Sequence, residues 1–200
     1  MSLWKLIKAR WGASAGETSD VRLDAVTEAL INIEYEHHEI HDGSHFFFNG
    51  YQDLASGNVL DFTWLMPNTT KWTHWTWNID AEDELSWMTY ENVLATNPLA
   101  NVVTPLNNNR NSGTSSGTTM KYELQADIAA ANADTDVSGG TLIGSGKTKS
   151  GGIFTAGGGS GERDNELILK QNTLYCLRFV AASAGFMNFA LRWYEHTNRN

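Results

Sequence analysis

Between Asn58 and Asp80 the chain reads NVLDFTWLMPNTTKWTHWTWNID, two apolar runs joined by Pro67, Asn68, Thr69 and Thr70. In the first run Leu60, Phe62 and Trp64 alternate with Asp61 and Thr63. In the second, Trp75, Trp77 and Ile79 alternate with Trp72, His74 and Thr76. A period of two puts each set on one face of an extended strand. The runs predict a central pair of half-buried strands whose aromatic face a second sheet must cover.

The same period recurs along the chain. Ile31, Ile33 and Tyr35 alternate with Asn32, Glu34 and Glu36, which predicts a strand over Ala29–Glu36. Asp42 and Gly43 then predict a turn and Ser44–Tyr51 a returning strand, together forming hairpin arms. Leu85–Leu94, Val102–Val103 and Met120–Leu124 predict further strands. Leu174–Ala181 and Phe186–Glu195 alternate strongly and predict a hairpin turning at Ala184 and Gly185. Asn107–Asn111 reads as an ordered polar loop, Gln125–Asp136 as a helical turn, and the glycine- and serine-rich Gly139–Gly161 as a long exposed loop. Roughly eight to ten short strands without a long helix predict an all-β, antiparallel β-sandwich, with a jelly roll favoured over an immunoglobulin-like topology.

The first eleven residues, MSLWKLIKARW, break this pattern. Trp4, Ile7 and Trp11 fall on one side of a helical wheel, beside Leu3 and the basic Lys5, Lys8 and Arg10. Such an arm suits either a short amphipathic helix on a partner or a segment folded onto its own domain. Gly12–Asp20 is a small-residue hinge. The expected organisation is an arm and hinge over residues 1–20 and one sandwich domain over 21–200.

Charge narrows the partners. The chain carries 14 Lys and Arg against 23 Asp and Glu, a net charge of −9. Nucleic acid is not an expected partner, because binding it depends on neutralising phosphates. No apolar run approaches the roughly 20 residues of a spanning helix, so no membrane partner is expected. The lone Cys176 sits among alternating apolar residues and is expected to be a buried, inert thiol.

Candidate chemistry is sparse. His37, His38, His41 and His45 lie among Glu36, Glu39 and Asp42. On a strand, His37, His41 and His45 would stand about 13 Å apart, too far to share an ion, so polar strand ends and intersubunit hydrogen bonds are expected instead of a metal site. Asp80, Glu82, Asp83 and Glu84 read as a solvated turn rather than a catalytic pair. GSGKT at Gly144–Thr148 has Thr141 where a phosphate loop needs its first glycine. Arg110 is expected to bond carbonyls of its own domain. Trp72 or Trp87 would suit stacking on a sugar if solvent-facing. No cofactor and no catalytic residues are expected.

The stretches EHHEIHDGSHFF, LMPNTTKW, NNNRNS, LKQNTLY and RWYEHT, in that order, resemble a family of small proteins encoded beside the capsid genes of tailed bacteriophages. The resemblance covers about Val21 to Thr197 and leaves the arm outside. It implies a non-enzymatic capsid decoration, or cement, protein with a jelly-roll-like body, located on the virion surface. Its implied partners are the major capsid protein and copies of itself, a trimer being favoured. In that reading Leu3, Trp4, Lys5, Ile7, Lys8, Arg10 and Trp11 form a capsid or subunit interface, with His37, His41, Asn109 and Arg110 on possible interface loops. A head-fibre or receptor-binding sandwich that takes host carbohydrate is the alternative.

Overall fold

The computed structural model describes residues 35–95, 101–124, 137–148, 155–156 and 166–197. Backbone contacts divide the chain into two units, Met1–Tyr35 and Glu36–Asn200. The arm residues Leu3, Trp4, Lys5, Ile7, Lys8, Arg10 and Trp11, the hinge, and the helical turn expected over Gln125–Asp136 lie outside the described residues.

In chain order the elements are α1 (Tyr35–Asp42), β1 (His45–Leu54), β2 (Val59–Leu65), β3 (Lys71–Ala81), β4 (Leu85–Glu91), β5 (Leu94–Ala95), β6 (Asn101–Val103) and β7 (Leu106–Asn107). They continue with β8 (Thr119–Leu124), β9 (Val137–Ser138), β10 (Thr141–Lys147), β11 (Thr155–Ala156), β12 (Leu167–Leu169), β13 (Leu174–Ala181) and β14 (Gly185–Thr197). One sheet runs β11-β3-β14-β1-β7, with β12 also on β3; the other runs β10-β4-β13-β2-β8-β6. Every pairing among them is antiparallel.

The pairings are nested. β1 pairs with β14 and β3 with β12 in the first sheet, while β2 pairs with β13 and β4 with β10 in the second. The early strands thus alternate between sheets, each matched to a later strand taken in reverse order. This is the winding of a jelly roll, as the strand pattern predicts.

That winding overturns two local expectations. β2 and β3 do not share a sheet: the chain crosses the sandwich at Pro67, and each strand's aromatic face covers the other's. Likewise β13 and β14 form no hairpin, because β13 lies between β2 and β4 while β14 lies between β1 and β3. Alternation identifies a strand and its buried face, but both edges of a strand look alike to it.

Two further differences are chemical. Tyr35 and Glu36, expected to end a strand, begin helix α1, which closes at Gly43. There the backbone turns left-handed, at φ 76°. Gly43 N–H donates to Ile40 O at 3.1 Å and Ser44 N–H to Glu39 O at 3.0 Å, the paired bonds of a Schellman cap. The expected loop from Gly139 begins instead with strand β10, with an irregularity between Leu142 and Gly144. A Cβ on Gly146 would stand 2.7 Å from the Trp87 indole, so glycine here admits the cross-strand ring.

The core is aromatic. Tyr175, Trp64, Trp75, Trp193 and Phe46 follow one another from the second sheet to the first, with centroid separations of 6.2, 4.2, 5.2 and 6.2 Å. Beside them Phe48, Phe62, Phe179 and Phe189 pack edge-on or tilted. Each such side chain, fully buried, contributes about 1.5–3 kcal/mol relative to exposure. The outer face of β2 is also covered: Asp61 and Thr63 are buried, and Val93, Val137 and Cys176 form a small second cluster.

Candidate functional site

The register brings the start of β1, the end of β14, the start of β3, the end of β2 and the start of β13 to one end of the sandwich. All five stretches that carry the family resemblance meet there. Helix α1 exposes His37, His38 and His41, the first and last with ring centroids 4.8 Å apart. Four residues beyond His41, His45 is buried on β1 and stacks on Tyr194, so His37, His41 and His45 do not share a face. Ser44 Oγ–H donates to the Glu39 carboxylate, locking the corner.

The Asn loop is bonded onto this corner. Asn107 Nδ2 donates to Gly43 O at 2.7 Å and to Thr114 O at 3.1 Å. Asn109 Nδ2 donates to His41 O at 3.1 Å, and Asn108 Nδ2 lies 2.9 Å from His45 Nδ1. Arg110 Nη1 donates to Asn107 O at 3.4 Å, a carbonyl of its own loop, as expected. His37, His41, Asn109 and Arg110 are therefore neighbours at one end, with Arg110 exposed.

Beneath the loop lies a buried carboxylate. Glu195 accepts from Ser116 Oγ at 2.5 Å, Thr118 Oγ1 at 3.1 Å, Trp193 Nε1 at 3.2 Å and the backbone N–H of Gly117 at 2.9 Å. The turn between β12 and β13 completes this end: Gln171 Nε2 donates to the carbonyls of Thr69 and Lys71. Nearby, Tyr175 O–H donates to Glu91 Oε2 at 2.9 Å and Lys170 Nζ to Oε1 at 2.6 Å. Burial pushes the Tyr175 hydroxyl up to about 12, with the Glu91 carboxylate adding to the effect. The hydrogen bond from Lys170 holds Glu91 below its usual value.

On the outer face of the first sheet, β3, β12 and β14 gather a polar group that sequence reading missed. His74 Nδ1 is 2.8 Å from Glu166 Oε1, Tyr194 O–H donates to Glu166, and His196 Nε2 is 2.7 Å from His74 Nε2. His74 and Tyr194 are opposite one another in the ladder and stack at 4.5 Å. The outward alternation of His74, Tyr194 and His196 was the available signal; Glu166 had none.

Elsewhere the polar groups are structural. Arg178 makes a two-pronged pair with Asp61, at 2.8 and 2.7 Å, and also donates to Val137 O. Burial pushes the Cys176 thiol well above its usual value, with the Asp61 carboxylate acting in the same direction, so it is a poor nucleophile at neutral pH. At the opposite end a cleft is lined by Leu54, Ala81, Asp83, Glu84, Leu85 and Phe186. GSGKT lies largely on β10, where Lys147 pairs with Glu84 at 2.9 Å. Among the described residues no group of three or more His, Cys, Asp and Glu could hold a metal ion, and no helix is long and apolar enough to cross a membrane.

No protein-family model, no curated protein and no solved structure matches the chain. The likeness to capsid decoration proteins rests on the five quoted stretches alone.

Proposed function

We propose that this chain is a non-enzymatic structural protein of a tailed-bacteriophage virion, a decoration protein that binds the outside of the capsid shell and stabilises it. One observation carries the reading. The five stretches that resemble the decoration family are scattered from Glu36 to Thr197, yet they converge on one end of the jelly roll and are hydrogen-bonded to each other there. A surface held in place before docking loses little conformational entropy when it docks, which suits repeated attachment to a lattice.

The mechanism is linkage. A protein that binds the assembled shell and not its free subunits shifts the equilibrium toward the shell. The major capsid protein is the partner. Copies of the chain associate, a trimer matching a local three-fold position. His37, His41, Asn109 and Arg110 fringe the docking end, and the basic, aromatic arm Met1–Trp11 clasps the capsid or a neighbouring copy.

Trp72, 38% exposed on the outer face of the first sheet, favours a second reading as a carbohydrate-binding sandwich on a head fibre. Copy number in purified virions, measured against the major capsid protein by quantitative mass spectrometry, separates the two. A ratio comparable to the capsid protein supports decoration, and a handful of copies supports the fibre. Absence from particles would overturn both.

A further inference from the structure

Away from the Asn loop, the outer face of the first sheet carries two rows of polar side chains. The ladder sets Asn49 of β1, Ala190 of β14 and Asn78 of β3 side by side, and Tyr51, Asn188 and Asp80 in the next outward row. Their strand neighbours Trp77, Ile79, Phe189 and Leu191 are buried in the core, so the two rows point outward. Asn49, Asn78 and Asn188 are exposed, and Tyr51 is 70% exposed. Phe186, diagonal to Tyr51 in the register, is exposed as well. On the other side of the Ala190 row stands the exposed Arg192. The asparagines of the Asn loop are spent on bonds within the fold, as Asn107 to Gly43 and Asn109 to His41. Among the described residues Asn49, Asn78, Asp80, Asn188 and Arg192 have no such side-chain partner.

We propose that these rows are a binding site for a neutral saccharide, with one hexose ring over Ala190 and its neighbour against Tyr51. A carboxamide both donates and accepts, which matches a hydroxyl that does the same. Asn49 and Asn78 stand two strand spacings apart, about 10 Å, and the short Ala190 between them leaves the middle of the row low enough to seat a ring. Tyr51 offers an apolar face to the C–H face of a sugar and a hydroxyl at its rim. Phe186 lies about 7–8 Å away on the diagonal and extends that apolar strip. Arg192 adds donors on one side and Asp80 an acceptor on the other. A polyanion does not fit, because the chain carries a net charge of −9 and the site itself holds a carboxylate. Nor does a protein partner, whose interface has an apolar centre where this face has amides. Trp72 lies six residues from Asn78 along β3, roughly 20 Å away, so the site is separate from it and stands whichever virion role holds.

The test titrates maltohexaose, cellohexaose, mannohexaose and galactotetraose into the full-length protein and reads saturation-transfer difference NMR, for the wild type, Tyr51→Ala, Asn188→Ala and Trp72→Ala. The expected result is saturable binding of at least one of the four sugars by the wild type. Loss of the stacking face in Tyr51→Ala weakens it on the order of tenfold. Loss of one amide in Asn188→Ala weakens it by about two- to tenfold. Circular dichroism checks that each variant is folded; should Tyr51→Ala fail to fold, Asn188→Ala decides. Absence of saturable binding of all four sugars to the wild type would overturn the site. So would binding lost in Trp72→Ala and retained in Tyr51→Ala and Asn188→Ala, which would move the sugar to the other end of the sheet.

Discussion

The indole rings of Trp64 and Trp75 lie face to face across the sandwich, 4.2 Å between centroids and 12° from parallel. Ten residues lie between them along the chain, yet the rings belong to opposite sheets. Both are fully buried, and neither indole N–H has an acceptor among the described residues. The contact is held by packing alone. Trp64→Ala would open a cavity that neighbouring Tyr175 and Trp193 cannot fill, at a cost of about 3–5 kcal/mol. Urea unfolding should show the midpoint falling accordingly, while Trp72→Ala, at an exposed position, moves it little.

Glu195 organises the loop above it. Replacing it with Ala removes the shared acceptor of the Ser116, Gly117, Thr118 and Trp193 donors, of which Thr118 and Trp193 are buried. Glu195→Ala is expected to destabilise by about 3 kcal/mol or more. Glu195→Gln keeps the acceptor oxygen and should cost less. Hydrogen exchange at the Gly117 and Thr118 amides reads the local loss directly, and unchanged protection in the Ala variant would refute this role.

Tyr175 should titrate late. Its hydroxyl is pushed up to about 12 in the folded chain against 10.0 ordinarily, so the folded state binds its proton more tightly than the unfolded state. The resulting stability is fully present below pH about 10 and is lost as pH rises toward about 12. Tyrosinate absorbance during alkaline titration should contain a late phase, and Tyr175→Phe should diminish it.

Gly50 and Gly146 each face an aromatic ring across the ladder. A Cβ at Gly50 would stand 2.7 Å from the Phe189 ring, and one at Gly146 equally close to Trp87. Gly146→Val and Gly50→Val are expected to destabilise by about 1–3 kcal/mol through overpacking. Thermal melts check both; a neutral Gly146→Val would mean that Trp87 swings away freely.

The arm carries the remaining prediction of the decoration reading. Deleting Met1–Trp11 should sharply reduce occupancy on capsids in a co-sedimentation assay. Unchanged occupancy would remove the arm from the mechanism.

Alternation along the chain was enough to find β2, β3, β8, β13 and β14, with Leu60, Phe62, Trp64, Trp75 and Leu177 correctly inward. It was silent on partners, since a strand's hydrogen-bonding edges carry no side-chain signature, and both expected pairings of adjacent strands failed for that reason. Helix α1 escaped because EHHEIHD has almost no apolar period, and its end is set by one backbone angle at Gly43. β10 escaped because glycines chosen to accommodate Trp87 mimic loop composition. In the candidate site, Arg110 and the Asn loop were legible from local chemistry. The His74, Glu166, Tyr194 and His196 group was not, because three strands distant in sequence must pair before it exists.

The nesting of the strands also sets the order in which the protein can be made. β14, the last described strand, lies between β1 and β3. A ribosome that has delivered β1 through β13 has therefore produced two halves of a sheet with no middle. Until β14 emerges, the inward faces of β1 and β3, with Phe46, Trp75 and Trp77, have no bridge between them. Nascent chains should therefore be at their most adhesive just before β14 emerges, and dependence on chaperones should be concentrated in that interval.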